Sequence, residues 1–293
     1  MKKGFTLVEL SIVLVIISLL ISGLLIGQNM IRSTKIQSQI KQIQQIEIAV
    51  TNFKTTYNGL PGDTNLIGDA TGSSSNASKI CAGNNDGKIS AIGNGSYSGV
   101  TASPQPYVSS YVWGGAYPCD NQSHAEWGRV FEHLGAFGMY PWDMYVDTDA
   151  TYEQTITGIG HPKMILDVAE GVTLGAEGGV VVGYIPANSD ANYSFMNAGN
   201  KIVLGGCRPS SPSSGIFFYC PPEPSAMLAI DIKVDDGKPR SGYVHVGGGR
   251  YVMRADESWD CNLANVHPPN DAYRTDGLDT PAFFCSLVFD SNF

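Results

Sequence analysis

The chain begins MKKGFTLVELSIVLVIISLLISGLLI, residues 1–26, and this stretch constrains everything that follows it. The 22 residues 5–26 carry a single charged side chain, that of Glu9. An α-helix of that length extends about 33 Å, which is enough to cross the hydrocarbon core of a bilayer. Lys2 and Lys3 precede it, and the positive-inside rule places such a flank in the cytoplasm. We therefore expect residues 5–26 to span the membrane and the rest of the chain to lie outside the cytoplasm.

Glu9 is the residue that a plain membrane span does not explain. A carboxylate inside an apolar helix costs about 2.5–3.5 kcal/mol on insertion scales, so such a group usually has a partner and a purpose. If the chain were cut between Gly4 and Phe5, the new amine of Phe5 would be a cation about one helical turn from Glu9. The amine of a neighbouring subunit could neutralise the same carboxylate.

The segment Lys-Gly-Phe-Thr-Leu-Val-Glu-Leu, residues 3–10, resembles the class III signal of type IV prepilins and type II secretion pseudopilins. The resemblance implies that a dedicated prepilin peptidase cuts after Gly4 and methylates the new N-terminus at Phe5. It also implies that Glu9 sets subunit register during filament assembly. The alternatives are a plain membrane anchor and an ordinary secretory signal, whose apolar core has about 7–15 residues and precedes its cleavage site.

The helical pattern continues beyond the apolar run. Apolar residues spaced three and four apart share one face of a helix: Ile36, Ile40, Ile43, Ile46, Val50, Phe53 and Tyr57. The glutamines of residues 37–45 lie mostly off this stripe, and Gly59 and Pro61 predict the end of the helix. We expect one helix over residues 5–57. Gly23 and Gly27 either soften it or permit close packing between membrane helices, and the sequence leaves both explanations open.

The composition changes after the helix, where Gly, Ser, Asn, Asp, Tyr and Pro dominate. We expect residues 1–4 to form a leader peptide and residues 58–293 a globular head. The chain has a net charge of −9, and residues 1–54 hold six basic and two acidic side chains, so the remainder carries −13. An acidic head suits solubility outside the cell and argues against nucleic-acid binding through a basic groove.

Six cysteines lie in the head and none in the long helix. They are Cys81, Cys119, Cys207, Cys220, Cys261 and Cys285. An even number of cysteines in an exported domain predicts disulfides, with neighbours along the chain as one pairing among several. A zinc site is the weaker alternative, because no Cys-x-x-Cys occurs and the five histidines are scattered.

The head is predicted to combine helices with an antiparallel sheet, which makes the fold class α+β. Ser123 and Glu126 form a capping box for a helix that Gly135 ends; its buried face is Trp127, Val130, Phe131 and Leu134. Strand-like runs cover residues 164–168, 179–185, 201–204, 216–219, 243–246, 250–253 and 283–289. Residues 225–234 fit a helix or a strand. Gly247-Gly248-Gly249 fits a hairpin turn better than a phosphate loop.

Two acidic clusters could hold calcium. The first is Asp63, Asp69, Asn84 and Asp86, around a segment that resembles the middle of an EF-hand loop without its end ligands. The alternative location is Asp231, Asp235 and Asp236. Ordinary solvated turns are the favoured interpretation of both clusters. The sequence carries no Gly-x-Ser-x-Gly or His-Glu-x-x-His motif, and we expect no enzymatic activity.

These features favour a structural subunit of a type IV pilus or of a type II secretion pseudopilus. The alternative is a minor tip pilin whose large head binds a surface, a receptor or secreted cargo. The resemblance implies prepilin peptidase, an inner-membrane assembly platform, membrane lipid, other pilin-like subunits and further copies of this chain as partners. It places the subunit in the inner membrane before assembly and in an extracellular or periplasmic filament afterwards.

Overall fold

One helix, α1 (Leu7–Tyr57), organises the molecule. The computed structural model describes residues 7–65, 83, 85–89, 126–142, 157–158, 160–168, 177–185, 197–206, 222–239, 241–248, 285–291 and 293. The head elements, in chain order, are a 3₁₀ turn (Glu126–Arg129), α2 (Val130–Ala136), β1 (Gly179–Ile185), β2 (Gly199–Gly206), α3 (Pro224–Val234), β3 (Val244–Gly248) and β4 (Cys285–Phe289).

The single long helix and the α+β class are confirmed. α1 contains 51 residues, which corresponds to about 76 Å, and it continues without a break through Gly23 and Gly27. A methyl group added at either glycine would meet no atom within 4 Å, so no contact of the single chain requires them. The helix ends at Tyr57, and Asn58 then takes a left-handed conformation with φ 51°.

The four strands form one antiparallel sheet in the order β1-β2-β4-β3. The last strand of the chain is therefore internal, and its Phe289 lies opposite Ile202 of β2 and Val244 of β3. One sheet face belongs to the same hydrophobic core as the C-terminal half of α1. The other face is also buried, as the exposure of Val203 (3%) and Val288 (0%) shows. Because both faces are buried, few of the described side chains of the sheet are exposed to solvent.

The predicted apolar stripe docks α1 on the head, with one residue that the sequence interpretation placed elsewhere. The stripe side chains that are buried are Ile36, Ile43, Ile46, Val50 and Phe53. Gln39, which we expected off the stripe, is fully buried with them. The buried Gln39 amide has hydrogen-bond partners on both of its polar atoms. Oε1 accepts the N–H of Ile165 at 2.6 Å, and Nε2 donates to Gln42 at 2.8 Å.

The prediction of a strand at residues 164–168 is wrong, and the reason again involves glutamine side chains of α1. This segment makes only isolated bridges, from Lys163 to Gly179 and from Val168 to Pro222. It lies along α1, where glutamine side chains replace a neighbouring strand: Gln39 accepts from Ile165, and Gln42 donates to the Lys163 carbonyl at 2.9 Å. The backbone groups are satisfied by the helix surface instead of by a ladder.

The short helix α2 buries the predicted apolar face, but its end is not at Gly135. The helix continues to Ala136, and Gly138 takes the left-handed conformation with φ 64°. Gly135 serves packing instead, because a Cβ there would lie 2.6 Å from the carbonyl oxygen of Trp142. Ser123 of the predicted capping box lies outside the described residues.

The ambiguous segment 225–234 is helical, and Gly247 and Gly248 do not form the predicted turn. Pro224 occupies the first turn of α3, where its missing N–H costs nothing. Gly247 and Gly248 belong to β3 and pair with Ser286 and Cys285, so the prediction of a hairpin turn at residues 247–249 is wrong. Glycine has no side chain to oppose a strand conformation, and β4 supplies the partner. The strands predicted at residues 216–219 and 250–253 lie outside the described residues.

Candidate functional site

The N-terminal half of α1 exposes a continuous apolar surface. Its large apolar side chains from Leu7 to Ile31 are 45–86% exposed, and the most apolar 18-residue window has a mean hydropathy of 2.8 with none of it buried. By length and composition the helix can cross a membrane. A helix that is apolar all round has to be covered by lipid or by other chains. Among the described residues, the large apolar side chains that are exposed lie mostly on this part of α1.

Within that surface the serine hydroxyls bond to the helix itself. The hydroxyls of Ser11, Ser18 and Ser22 donate to backbone carbonyls of the preceding turn at 2.8–2.9 Å. Glu9 is the single charged residue between positions 7 and 31, and its side chain is exposed on the helix surface. Gly4 and Phe5 lie outside the described residues, so cleavage between them, methylation of Phe5 and the pairing of its amine with Glu9 stay predictions.

Below the apolar half, polar pairs join α1 to three segments of the head. Arg32 binds Glu223 at 2.8 Å, and Lys35 binds Asp167 at 2.6 Å. Both pairs are partly exposed, so each contributes about 0–1 kcal/mol and fixes orientation more than stability. Glu47 accepts the hydroxyl hydrogen of Tyr243 farther along the helix.

A groove of about 640 Å³ lies between α1 and the sheet, near the C-terminal end of the chain. Its lining includes Ile40, Glu47, Ile48, Tyr243 and Phe289. Glu47 and Tyr243 are bonded to each other, and burial together with the Glu47 bond raises the pKa of the Tyr243 hydroxyl far above its usual range. A phenol held protonated in this way is a poor general base.

The first predicted calcium cluster is partly assembled, with a member that the sequence did not reveal. Carboxylate oxygens of Asp63, Asp86 and Glu126 lie within 4.8 Å of one another, whereas Asp69 and Asn84 lie outside the described residues. Asp63 is buried, and its two oxygens accept the N–H groups of Asp86 (3.0 Å) and Gly87 (2.9 Å). Burial raises its pKa despite these bonds. The visible role of Asp63 is to hold the 85–89 turn against the end of α1, and calcium binding stays a prediction.

The second cluster organises the turn between α3 and β3. Asp231 accepts the N–H of Gly237 at 3.1 Å, Asp235 that of Val244 at 2.8 Å, and Asp236 that of Lys238 at 2.9 Å. Gly242, with φ 82°, is required here because a Cβ would collide with the Asp235 carboxylate. These bonds give the aspartates a structural role, and Asp231 is fully buried instead of solvated. The side chains of the six cysteines lie outside the described part of the structure, so the disulfides stay a prediction.

A trio of titratable side chains lies on the second face of the sheet. Lys201 of β2 contacts Asp290, which follows β4, and His245 of β3 lies 3.4 Å from the other Asp290 oxygen. Their side chains are 4%, 22% and 5% exposed. Burial alone would raise the pKa of Asp290, but the bonds from His245 and Lys201 outweigh it and hold the pKa below its ordinary value. No sequence pattern brought these residues together.

Glu132 on α2 provides a pH-dependent test of the head. Burial raises its pKa from 4.5 to about 7, and the Arg129 charge opposes the shift only in part. The folded state therefore holds a proton that the unfolded state releases between pH 4.5 and 7, and stability falls as the pH rises through that interval. We expect Glu132→Gln to stabilise the chain by about 1–3 kcal/mol above pH 7 and to change little below pH 4.5.

Urea unfolding of the full chain in detergent, at pH values on both sides of the interval, measures this difference. Glu177→Gln is the matched control, because Glu177 is 62% exposed in its pair with Lys163. Equal stability of wild type and Glu132→Gln above pH 7 would contradict the assignment.

Comparison with known proteins supports the interpretation of the N-terminal segment. Residues 1–25 match the family model described as the prokaryotic N-terminal methylation motif. No curated protein and no solved structure gave a match. The matched residues are the leader and the start of α1, which continues as the exposed apolar helix described above. The chain therefore carries the prokaryotic N-terminal methylation motif, the class III signal peptide of type IV pilins, at the start of a long apolar helix.

Proposed function

We propose that this chain is a structural subunit of a filament, either a type IV pilus or a type II secretion pseudopilus. The observation that carries the proposal is the exposed apolar half of α1, which follows directly on the methylation motif. A subunit stored in the membrane and then extracted must exchange lipid for some other apolar cover. Bundling with like helices provides that cover, because each helix buries the same kind of surface on its neighbours.

The docking of α1 on the head supports the same role. The head holds only the C-terminal half of the helix, through the buried stripe and the pairs of Arg32 and Lys35. The apolar half therefore projects beyond the head and is accessible to other subunits over its whole circumference. A membrane anchor needs only to cross the bilayer, whereas a helix that is exposed around its whole circumference can also pack against neighbouring subunits.

The partners and location follow from the proposal. Prepilin peptidase removes residues 1–4 and methylates Phe5, and the inner-membrane platform then assembles the subunit with further copies and other pilin-like chains. The head lies outside the cytoplasm throughout. In this proposal the role of the chain is structural and not enzymatic.

A minor tip pilin is the second candidate. The head of residues 58–293 is large, and a tip subunit uses a large head to bind a surface, a receptor or cargo. The exposed circumference of the apolar helix favours incorporation along the filament, since a tip subunit has neighbours on one side only.

Shearing cells and analysing the filament fraction tests the proposal. We expect this chain to be the main protein of that fraction, with an N-terminal peptide that begins at a methylated Phe5. A trace amount of correctly processed chain would favour the tip subunit instead. A chain that keeps Met1, or that stays with the membrane under all conditions, would overturn both roles.

A further inference from the structure

In the trio Lys201, Asp290 and His245, the Lys201 amine can act as a nucleophile and the Asp290 carboxyl carbon as an electrophile. The two groups lie together at a defined position of the sheet. Ile202 and Phe289 are paired across β2 and β4. Lys201 and Asp290 are the next residues along this pairing, and their side chains are in contact. Directly opposed side chains share one face of a sheet, with Cβ atoms about 5 Å apart. His245 pairs with Val288 and so lies diagonally across from Asp290 on that same face. The contact is thus fixed by strand register and not by a flexible loop.

Burial changes what such a pair can do. Lys201 is 4% exposed and Asp290 22%, so water that would hydrolyse a condensation product has little access. Condensation to an amide removes both charges. Groups held in contact also react with effective molarities of about 10⁵ M or more, which lowers the barrier to condensation.

We propose that Lys201 and Asp290 are joined by an intramolecular isopeptide bond. The pair starts as ammonium and carboxylate, and a proton moves from Nζ to Oδ2 of Asp290, the oxygen that later departs as water. The lone pair of Nζ then attacks Cγ and forms the C–N bond. His245, next to Oδ2, transfers a second Nζ proton to the departing oxygen, and the C–O bond breaks to release one water. An ammonium and a carboxylate become a neutral amide and water, so atoms and charge balance without any co-reactant.

The bond would close residues 201–290 into a covalent loop and tie β4 to β2. Because β4 is the last strand of the chain and is internal to the sheet, its departure would open the head. The link prevents that departure. This inference is independent of the filament proposal, since it concerns the chemistry of the folded head alone.

Peptide mass spectrometry of the full-length wild-type chain tests the inference directly. After reduction, alkylation and digestion, we expect a branched peptide that joins the Lys201 and Asp290 fragments, lighter than their sum by one water. The matched control is the exposed pair Lys35–Asp167, which has the same residue types in contact at 2.6 Å and should yield only linear peptides. Linear peptides at Lys201 and Asp290, with the Lys201 amine open to acylation after denaturation, would show an ordinary ion pair and overturn the proposal.

Two variants extend the test. In Asp290→Asn, the same attack would release ammonia, so the branched peptide should be lighter than the sum of its fragments by one ammonia. His245→Gln should lower the cross-linked fraction several-fold, while Lys201 and Asp290 remain in contact in the folded chain. A cross-linked fraction unchanged in His245→Gln would overturn the proton-transfer role of the histidine, while the wild-type peptide alone decides whether the bond exists.

Discussion

Replacing Phe53 with alanine is expected to lower the free energy of unfolding of the head by about 3–5 kcal/mol. Phe53 is fully buried on the face of α1 that docks on the head. Its ring contacts those of Tyr57 and Phe137, with centroid distances of 4.9 and 5.6 Å, and lies 6.1 Å from that of His133. Truncation removes the transfer free energy of the ring and leaves a cavity that α1, as a rigid helix, cannot fill by collapsing.

Urea unfolding of the full chain in detergent, followed by tryptophan fluorescence, measures this loss. Trp127 and Trp142 belong to the same core as Phe53 and report on its integrity. Lys54→Ala is the matched control: Lys54 is the next residue of the helix, and it is exposed, so the substitution should change stability by no more than about 0.5 kcal/mol. A Phe53→Ala loss as small as that of the control would show that the helix and the head are not docked as described.

Glu9→Leu is expected to abolish filaments while leaving membrane insertion intact. Leucine removes the insertion penalty of a carboxylate, about 2.5–3.5 kcal/mol, so the variant should enter the membrane at least as well as wild type. What it loses is the single negative charge that the Phe5 amine of a neighbouring subunit could pair with in an apolar bundle. Without that pair, nothing polar fixes the axial position of one apolar helix against the next.

Membrane fractionation and electron microscopy of sheared material separate the two effects. Ser11→Ala is the control, because the Ser11 hydroxyl is satisfied by the Val8 carbonyl of its own helix and has no part in the charge pairing. We expect this control to assemble normally. Normal filaments from cells that make only the Glu9→Leu chain would refute the proposed role of Glu9, even if processing at Gly4 proceeds.

The long helix was predictable because its signal is local and repeated. Every apolar residue of the stripe from Ile36 to Tyr57 reports the same period, so an error at one position changes nothing. Residues 225–234 lacked that redundancy: Ile230, Ile232 and Val234 alternate as in a strand, yet Ile232 is 62% exposed on α3 while Ile230 is fully buried. There the proline at the helix start was a better guide than the alternation.

The polar positions were not predictable, since each depends on a partner distant in the sequence. The burial of Gln39 makes sense only beside the backbone of Ile165. Glu126 joins Asp63 through the packing of the turn before α2 against the end of α1. Lys201 and Asp290 meet because β4 inserts between β2 and β3, and no local pattern encodes that order. A hydrophobic period identifies one face of one helix or strand, whereas each of these contacts depends on how two elements are placed relative to each other.

The extent of the interface between α1 and the head determines how the subunit responds to force. The contacts with the head extend along the helix from the Arg32–Glu223 pair to the ring of Phe53, a distance of about 30 Å. Tension applied along the helix axis acts parallel to this interface, so all of its contacts share the load at once, as in shear. A pull across the axis would instead peel them apart in succession, one at a time. The subunit should therefore withstand far more force along its length than across it.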